Sequence, residues 1–420
     1  MIAIIAIIAI SRLPPAMEQT PVPARYRPKS YGLFVVFIAI IGAFSSLVND
    51  MYLPTIPAMM REFHTTPSMT QMGLSMAMLG MGIGSVLWGS LSDHFGRKPI
   101  LIISLLIFAL STGVALLSPD ITFFVAVRLV QGFGAGGAMV LSTSIPADVF
   151  AGRQLGKLMG IVGAINGIAP AAGPLLGGFL ADRVGWRGIF VVLLAIGIGM
   201  TIWTTRTNET LPPARRIAAR RLSDYLKSYR TMLLNGRFMI YVIIKALGIA
   251  LLYAYISSGP FIIQDHYHFS ALTFGIIFGA NALAIAAGTM LAPRFRIMKQ
   301  AMVVGTVGMF LLSLGMAAVM WYELPFWAYE LVAVPLVLCL GMIFSSANTL
   351  AMDVGRADAG TSSAILGVVK YILAAIVSPL CGLGNLMHSS AVVVIVTAAI
   401  ALLFAFLAYR LSPLSDMVKH

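Results

Sequence analysis

The chain has 420 residues, of which 59% are hydrophobic and only 10% charged, with a mean hydropathy of +0.93; this composition excludes a soluble globular domain and places the chain in a lipid bilayer. A net charge of +13 does not point to nucleic acid, because the basic residues sit in gaps between apolar segments rather than on one solvated face. The two cysteines, Cys339 and Cys381, both fall in apolar segments, so neither a disulfide framework nor a metal site is expected.

In chain order, the apolar decapeptide Met1 to Ile10 comes first. As a helix it is about 15 Å long, too short to cross a bilayer, and it lacks the basic start of a signal peptide. It reads as an extension outside the fold, with the natural start at Met17. Apolar stretches of membrane-crossing length then fall near 32–52, 70–91, 99–118, 122–146, 156–181 and 186–204, and again near 238–261, 271–292, 299–320, 326–350, 359–386 and 390–410. The expected fold is therefore all-α and integral to the membrane, with twelve spans. Residues 1–30 form a tail, 31–205 a six-helix half, 206–237 a basic linker with Pro212 and Pro213, 238–410 a second six-helix half, and 411–420 a second tail.

Lysine and arginine concentrate in the first tail, the linker and the even-numbered loops (Arg97, Lys98, Arg153, Lys157, Arg294, Arg296, Lys299, Arg356), while the odd-numbered loops hold only Arg61, Arg183 and Arg187. By the positive-inside rule both termini are cytoplasmic. The halves also share features: span 5 contains Gly173-Pro174-Leu-Leu-Gly177 and span 11 Ser378-Pro379-Leu-Cys-Gly382, while span 1 ends Tyr52-Leu-Pro54 and span 7 ends Tyr255-Ile-Ser-Ser-Gly-Pro260. Such a repeat is typical of transporter folds.

Three motifs stand on the predicted spans. Gly89-Ser-Leu-Ser-Asp93-His-Phe-Gly96-Arg97-Lys98 joins spans 2 and 3, Arg128-Leu-Val-Gln131-Gly132 lies in span 4, and Gly163-Ala-Ile-Asn166-Gly167 leads to Gly173-Pro174-Leu-Leu-Gly177-Gly178 in span 5. In this order they resemble the loop 2/3, helix 4 and antiporter motifs of the major facilitator superfamily. Asn49-Asp50-Met-Tyr52-Leu-Pro54 and Gly360-Thr-Ser-Ser-Ala364 narrow the resemblance to twelve-helix drug:proton antiporters of the Bcr/CflA type. Two departures are Lys370, where a neutral polar residue is expected, and loop 8/9, where Arg294 and Arg296 keep only the basic part of the repeated motif. The resemblance implies a bacterial inner-membrane efflux transporter, monomeric, exchanging drugs or other small amphipathic molecules for protons. It also implies a cytoplasmic gate in which Arg97 pairs with Asp148, assisted by Gly89, Asp93, Gly96 and Lys98, and an antiporter seam at Gly163, Gly167, Gly173, Pro174, Gly177 and Gly178.

Within the bilayer a charge is costly and marks function. Asp50 is read as the one acidic residue of a spanning segment, and it lies about 28 Å along span 1, close in depth to Arg128 about 10 Å into the oppositely running span 4. The pair is the expected proton-coupling site, burial and the guanidinium acting in opposite senses on the carboxylate. The alternatives are a wet helix-end role for Asp50 before Pro54 and a packing role for Arg128. Lys370, about 16 Å into span 11, is expected to face the cavity and disfavour cationic cargo, whereas Lys245 is close enough to its helix end to snorkel. Asp93 is placed at the start of span 3, where the helix dipole favours it.

The remaining polar groups on spans 1, 4, 5, 7 and 8 give the candidate substrate contacts Asn49, Tyr52, Gln131, Asn166, Tyr253, Tyr255 and Asn281, joined by Lys370. No phosphate-cradling loop, metal-ligand cluster or activated nucleophile is present in the sequence. An enzyme is therefore not expected, and no cofactor. A metabolite symporter on the same fold is the nearest alternative; a passive channel or receptor is further away.

Overall fold

The computed structural model describes residues 30–213, 216 and 222–411; the apolar decapeptide and nearly all of both predicted tails lie outside them. All regular structure among the described residues is helical. Span 1 is α1 (Tyr31–Asp50), continued by a 3-10 turn (Leu53–Thr55) and the short α2 (Ile56–Glu62). Then come α3 (Pro67–Phe95), α4 (Arg97–Leu116), α5 (Ile121–Val149) and α6 (Gly152–Arg206). After α7 (Leu222–Leu233), the second set is α8 (Gly236–Pro260), prolonged by a π-helical turn (Phe261–His266), α9 (Ala271–Leu291), α10 (Met298–Trp321), α11 (Phe326–Val354), α12 (Ala359–Leu380) and α13 (Leu386–Leu411).

Short polar residues start several of these helices by accepting a backbone N–H that the helix leaves unpaired. Thr66 accepts from Met69, Asp120 from Phe123, Asn235 from Phe238 and Ser270 from Thr273. The 55-residue α6 is about 80 Å long, far more than one crossing requires. It divides at Gly185, whose φ of 61° and ψ of −172° lie in a region open essentially to glycine. Spans 5 and 6 are the two parts. Among the described residues eleven helices are long and apolar enough to cross a membrane, and the division of α6 makes twelve crossings. A Cβ at residue 185 meets nothing within 4 Å, so Gly185→Ala is a pure backbone test: about 1–3 kcal/mol of destabilisation, read as a lower melting temperature in detergent.

Within the basic linker, α7 occupies Leu222–Leu233. One expectation is corrected here: Asp93 is not at a helix start but lies in the last turn of α3, where the dipole disfavours an acid, and Gly96 at φ 101° ends that helix.

Within each set the second and fourth spans pack almost backbone to backbone. A Cβ on Gly132 of α5 would stand 1.9 Å from the Ala77 carbonyl oxygen of α3, and one on Gly80 2.1 Å from that of Leu129. The second set repeats this: Gly288 of α9 against Leu338 O at 1.9 Å and Gly341 of α11 against Ile285 O at 2.1 Å. Small residues are what permit such approach in a bilayer, and the recurrence gives the faint sequence repeat a structural form.

The two sets meet along α6 with α9 and α3 with α12. Their polar ties gather at the end opposite Arg97, here called the far end; the Arg97 end is the basic end. Arg61 pairs with Asp265 at 2.9 Å, Gln264 donates to Pro54 O, Ser68 to Pro379 O and Gln71 to Ser257 O.

Candidate functional site

Arg128 has no solvent exposure, and the close approach of α3 to α5 decides what it touches. Its Nε donates to the Gly73 carbonyl at 3.2 Å, Nη1 and Nη2 to the Val48 carbonyl at 3.4 Å, and Nη1 to Gln131 Oε1 at 2.5 Å. Gln131 in turn donates to Thr112 at 2.7 Å. The guanidinium lies 4.5 Å from the Tyr52 ring centre and 5.8 Å from that of Phe190, an aromatic seat that favours a flat cation. Arg128→Lys keeps the charge but loses the planar fork. With two or more charge-assisted bonds gone, a loss of about 2–4 kcal/mol is expected in thermal unfolding of the purified protein.

The expected Asp50–Arg128 ion pair is not formed. Arg128 is satisfied by carbonyls, and it reaches α1 through Val48, two residues before Asp50. Asp50 is 6% exposed, and among the described residues its carboxylate makes neither an ion pair nor a hydrogen bond. It stands within electrostatic reach of the Tyr52 and Tyr253 hydroxyls, the latter from the second set. Among the described residues the Tyr52 hydroxyl and Asn49 Oδ1 are also buried without a hydrogen bond, while the Asn49 amide contacts Met81 Sδ at 3.3 Å. The antiporter glycines explain how α1 is held here. A Cβ on Gly173 would stand 2.8 Å from Asp50 Cβ, and one on Gly177 1.9 Å from Met51 O. Gly178, next in line, faces the second set, with Ala271 O at 2.4 Å, and Gly275 answers it with Pro174 O at 2.4 Å. Pro174 is thus at the seam itself. The side-chain surroundings of positions 163–168, including Gly163, Asn166 and Gly167, lie outside the described residues.

In the second set Tyr255 stacks on Phe278, with ring centres 4.9 Å apart, and accepts from Asn281 at 2.7 Å; Asn281 also donates to Glu330 at 3.0 Å. Asn281 and Tyr255 are therefore engaged with each other. Glu330 corrects the reading that Asp50 is the one acid in a span, because it belongs to α11 (Phe326–Val354). Its position one turn from the helix start resembles an interfacial residue in sequence, and only the distant Asn281 reveals its inward direction. Lys245 is likewise corrected: its ammonium does not snorkel but donates to Asn348 Oδ1 at 2.7 Å. Lys370 is half-buried, its ammonium 4.5 Å from the Tyr371 ring centre.

At the basic end Arg97 Nε donates to Asp148 at 2.8 Å and Nη1 to Asp93 at 2.6 Å. The guanidinium thereby offsets the acid at the end of α3. Glu209, unremarked in the sequence, accepts from the backbone N–H of Arg97 at 3.0 Å and Lys98 at 3.2 Å. A Cβ on Gly96 would stand 2.4 Å from the Glu209 carboxylate, so the motif glycine serves both the turn and this contact. Gly89 packs on Val140 of α5, and the Lys98 ammonium caps α6 at the Thr205 and Thr207 carbonyls. All of these partners belong to the first set or the start of the linker.

A family model, the Major Facilitator Superfamily, matches residues 38–379. The chain belongs to the major facilitator superfamily. An MFS-type transporter of Bacillus subtilis (strain 168), YdgK, is 33% identical over 354 residues, covering 83% of this chain and 87% of that one. A bicyclomycin resistance protein homolog of Haemophilus influenzae is 25% identical over 385 residues, covering 91% of this chain and 96% of that one. Among solved structures, a bacterial homolog of the human lysosomal transporter Spinster, in an inward-facing and unoccupied conformation, superposes with a TM-score of 0.72 at 17% identity, covering 93% and 99% of the two chains. Membership of this superfamily makes the chain a multi-pass membrane transporter of small molecules rather than an enzyme.

Proposed function

We propose that the chain exports drugs or other small amphipathic molecules from a bacterial cytoplasm across the inner membrane in exchange for protons, by alternating access, with both termini and the basic end on the cytoplasmic side. The observation that carries the reading is Asp50. A carboxylate withdrawn from water, with no cation paired to it among the described residues, is expensive as an anion, so its protonation depends on whether water or a cation reaches it. It sits where Gly173 locks α1 against α6, one step from the Gly178–Gly275 seam that has to open when the halves rock. Movement of that seam and access of protons to Asp50 are then one event.

Arg128 acts on the coupling site through Tyr52 and the Val48 carbonyl rather than by direct pairing. Asn49, Tyr52, Gln131, Tyr253 and Lys370 border the cargo path. Asn281 and Tyr255 position Glu330. The ties between Arg61 and Asp265 and between Ser68 and Pro379 keep the far end shut in the conformation described, while the Arg97, Asp93 and Asp148 cluster braces the first half at its cytoplasmic surface.

The direction of coupling is tested with purified protein in proteoliposomes and radiolabelled bicyclomycin. An acid lumen is expected to drive accumulation of the drug and an alkaline lumen to drive none. The reverse dependence would establish a symporter, and accumulation under neither gradient a passive path.

A further inference from the structure

Lys245 and Lys370 are two cations inside the membrane-spanning region, about 14 Å and 17 Å from the starts of α8 and α12. Their ammonium groups lie close enough to repel each other, and among the described residues neither forms an ion pair. Lysines in spans almost always have a counter-charge or face a wet cavity. The contact of Lys370 with the Tyr371 ring contributes on the order of 1 kcal/mol, too little to offset an unpaired charge. Asn348 completes the group: its Oδ1 is taken by Lys245 at 2.7 Å, which leaves the amide N–H groups as further donors. Lys245 is bonded to Asn348 and stands within electrostatic reach of Lys370, so side chains of α8, α11 and α12 bring several donors together, and among the described residues Asn348 Oδ1 is the one side-chain acceptor bonded to them.

Their location is on the path between the two sets of helices. α8 packs along both α11 and α12, which touch each other little. Tyr371, which carries Lys370 beside it, reaches across to Met139 Sδ of the first set at 3.1 Å and lies against Gly82. Tyr253 links this level to Asp50, being within electrostatic reach of both Asp50 and Tyr371.

We propose that Lys245, Lys370 and Asn348 form a subsite for the anionic group of an amphipathic cargo, a carboxylate, sulfonate or phosphate on an aromatic body that lies along Tyr371 and Met139. The proposal rests on the reading of the chain as a carrier of small amphipathic molecules and names the class that it favours. The cation pair, costly when empty, becomes the counter-charge of the cargo, and the same pair repels cationic compounds. Asp50 and the lysines are then separate stations, one for the proton and one for the anion.

The test is equilibrium binding by calorimetry to the full-length protein in lipid nanodiscs, with 2-naphthalenesulfonate and the neutral 2-naphthalenesulfonamide as probes. The wild type is expected to prefer the sulfonate by about tenfold or more, equivalent to about 1.4 kcal/mol. Lys245→Gln and Lys370→Gln should each weaken sulfonate binding about tenfold, one charge-assisted bond being lost, with sulfonamide binding changed less than about twofold; Lys370→Arg should retain the preference. Equal affinity of the wild type for the two probes overturns the proposal, as does unaltered sulfonate binding in both Gln variants. The wild-type comparison needs no variant to fold. No proton gradient is present, so failure here leaves proton coupling untouched, and failure of drug accumulation in proteoliposomes leaves this binding result standing.

Discussion

Asp50→Asn is expected to abolish proton-driven accumulation while leaving the protein folded. One pH unit supplies about 1.4 kcal/mol per proton, enough for at most about tenfold accumulation when one proton is exchanged and the membrane potential is clamped. The variant should lose all of it, bringing the ratio of internal to external drug to about one. Stability is expected to change little, because the carboxylate has no hydrogen bond or ion pair among the described residues to forfeit, and the amide is nearly isosteric and uncharged. Glu330→Gln is the matched control: its acid is engaged with Asn281, and pH-driven accumulation is expected to survive. Retained accumulation in Asp50→Asn together with loss in Glu330→Gln would move the coupling site to the second half.

The second large effect belongs to the seam. At Gly178 a Cβ would stand 2.4 Å from Ala271 O, and at Gly275 2.4 Å from Pro174 O, so backbone faces backbone and neither can yield as a flexible side chain would. Gly178→Val therefore forces α6 and α9 apart. Overpacking of this kind costs about 1–3 kcal/mol, and in a molecule with two global states the cost falls on the state that contains the contact, shifting the equilibrium about tenfold or more towards the other. A cysteine at Ser68, whose native side chain bonds Pro379 O across the same end, reports the change in a background with Cys339 and Cys381 replaced. Labelling by a membrane-impermeant maleimide should accelerate about tenfold in Gly178→Val. An unchanged rate would mean that the seam is not what holds the far end closed.

The spans were readable from sequence to within a few residues because a bilayer leaves a chain little choice: twenty apolar residues must satisfy their own backbone as helix. The break inside α6 was readable too, since Arg183 and Arg187 bracket Gly185. What escaped has a common cause, which is that the missing information lies in partners far along the chain or in the backbone. Arg128 was assigned a carboxylate because acids are visible in a sequence, whereas its true acceptors at Gly73 and Val48 are carbonyls, which every residue possesses. Lys245 appeared free to snorkel because Asn348, about a hundred positions away, gives no local signal. Glu330 and Asp93 both sit near helix ends, where a shift of a few residues in a boundary changes an acid from solvated to inward, or from dipole-favoured to dipole-opposed. The helix α7 was obscured by the basic residues of its linker, which dominate any reading by charge.

The attachment of the linker sets a limit on the working stroke. Glu209, besides holding the turn at Gly96, accepts from the N–H groups of Thr210 and Leu211, which fastens the departing chain to the first half as far as Leu211. On the other side α7 is held to the second half, Ser228 bonding Asp358 and Ser362 bonding Met232 Sδ. Between these two anchors, Leu211 and Leu222, covalent geometry alone limits the separation to about 36–40 Å. A transporter so tethered has the gape at its basic end bounded by chain length, and progressive deletion between residues 212 and 221 should reduce turnover before it reduces binding.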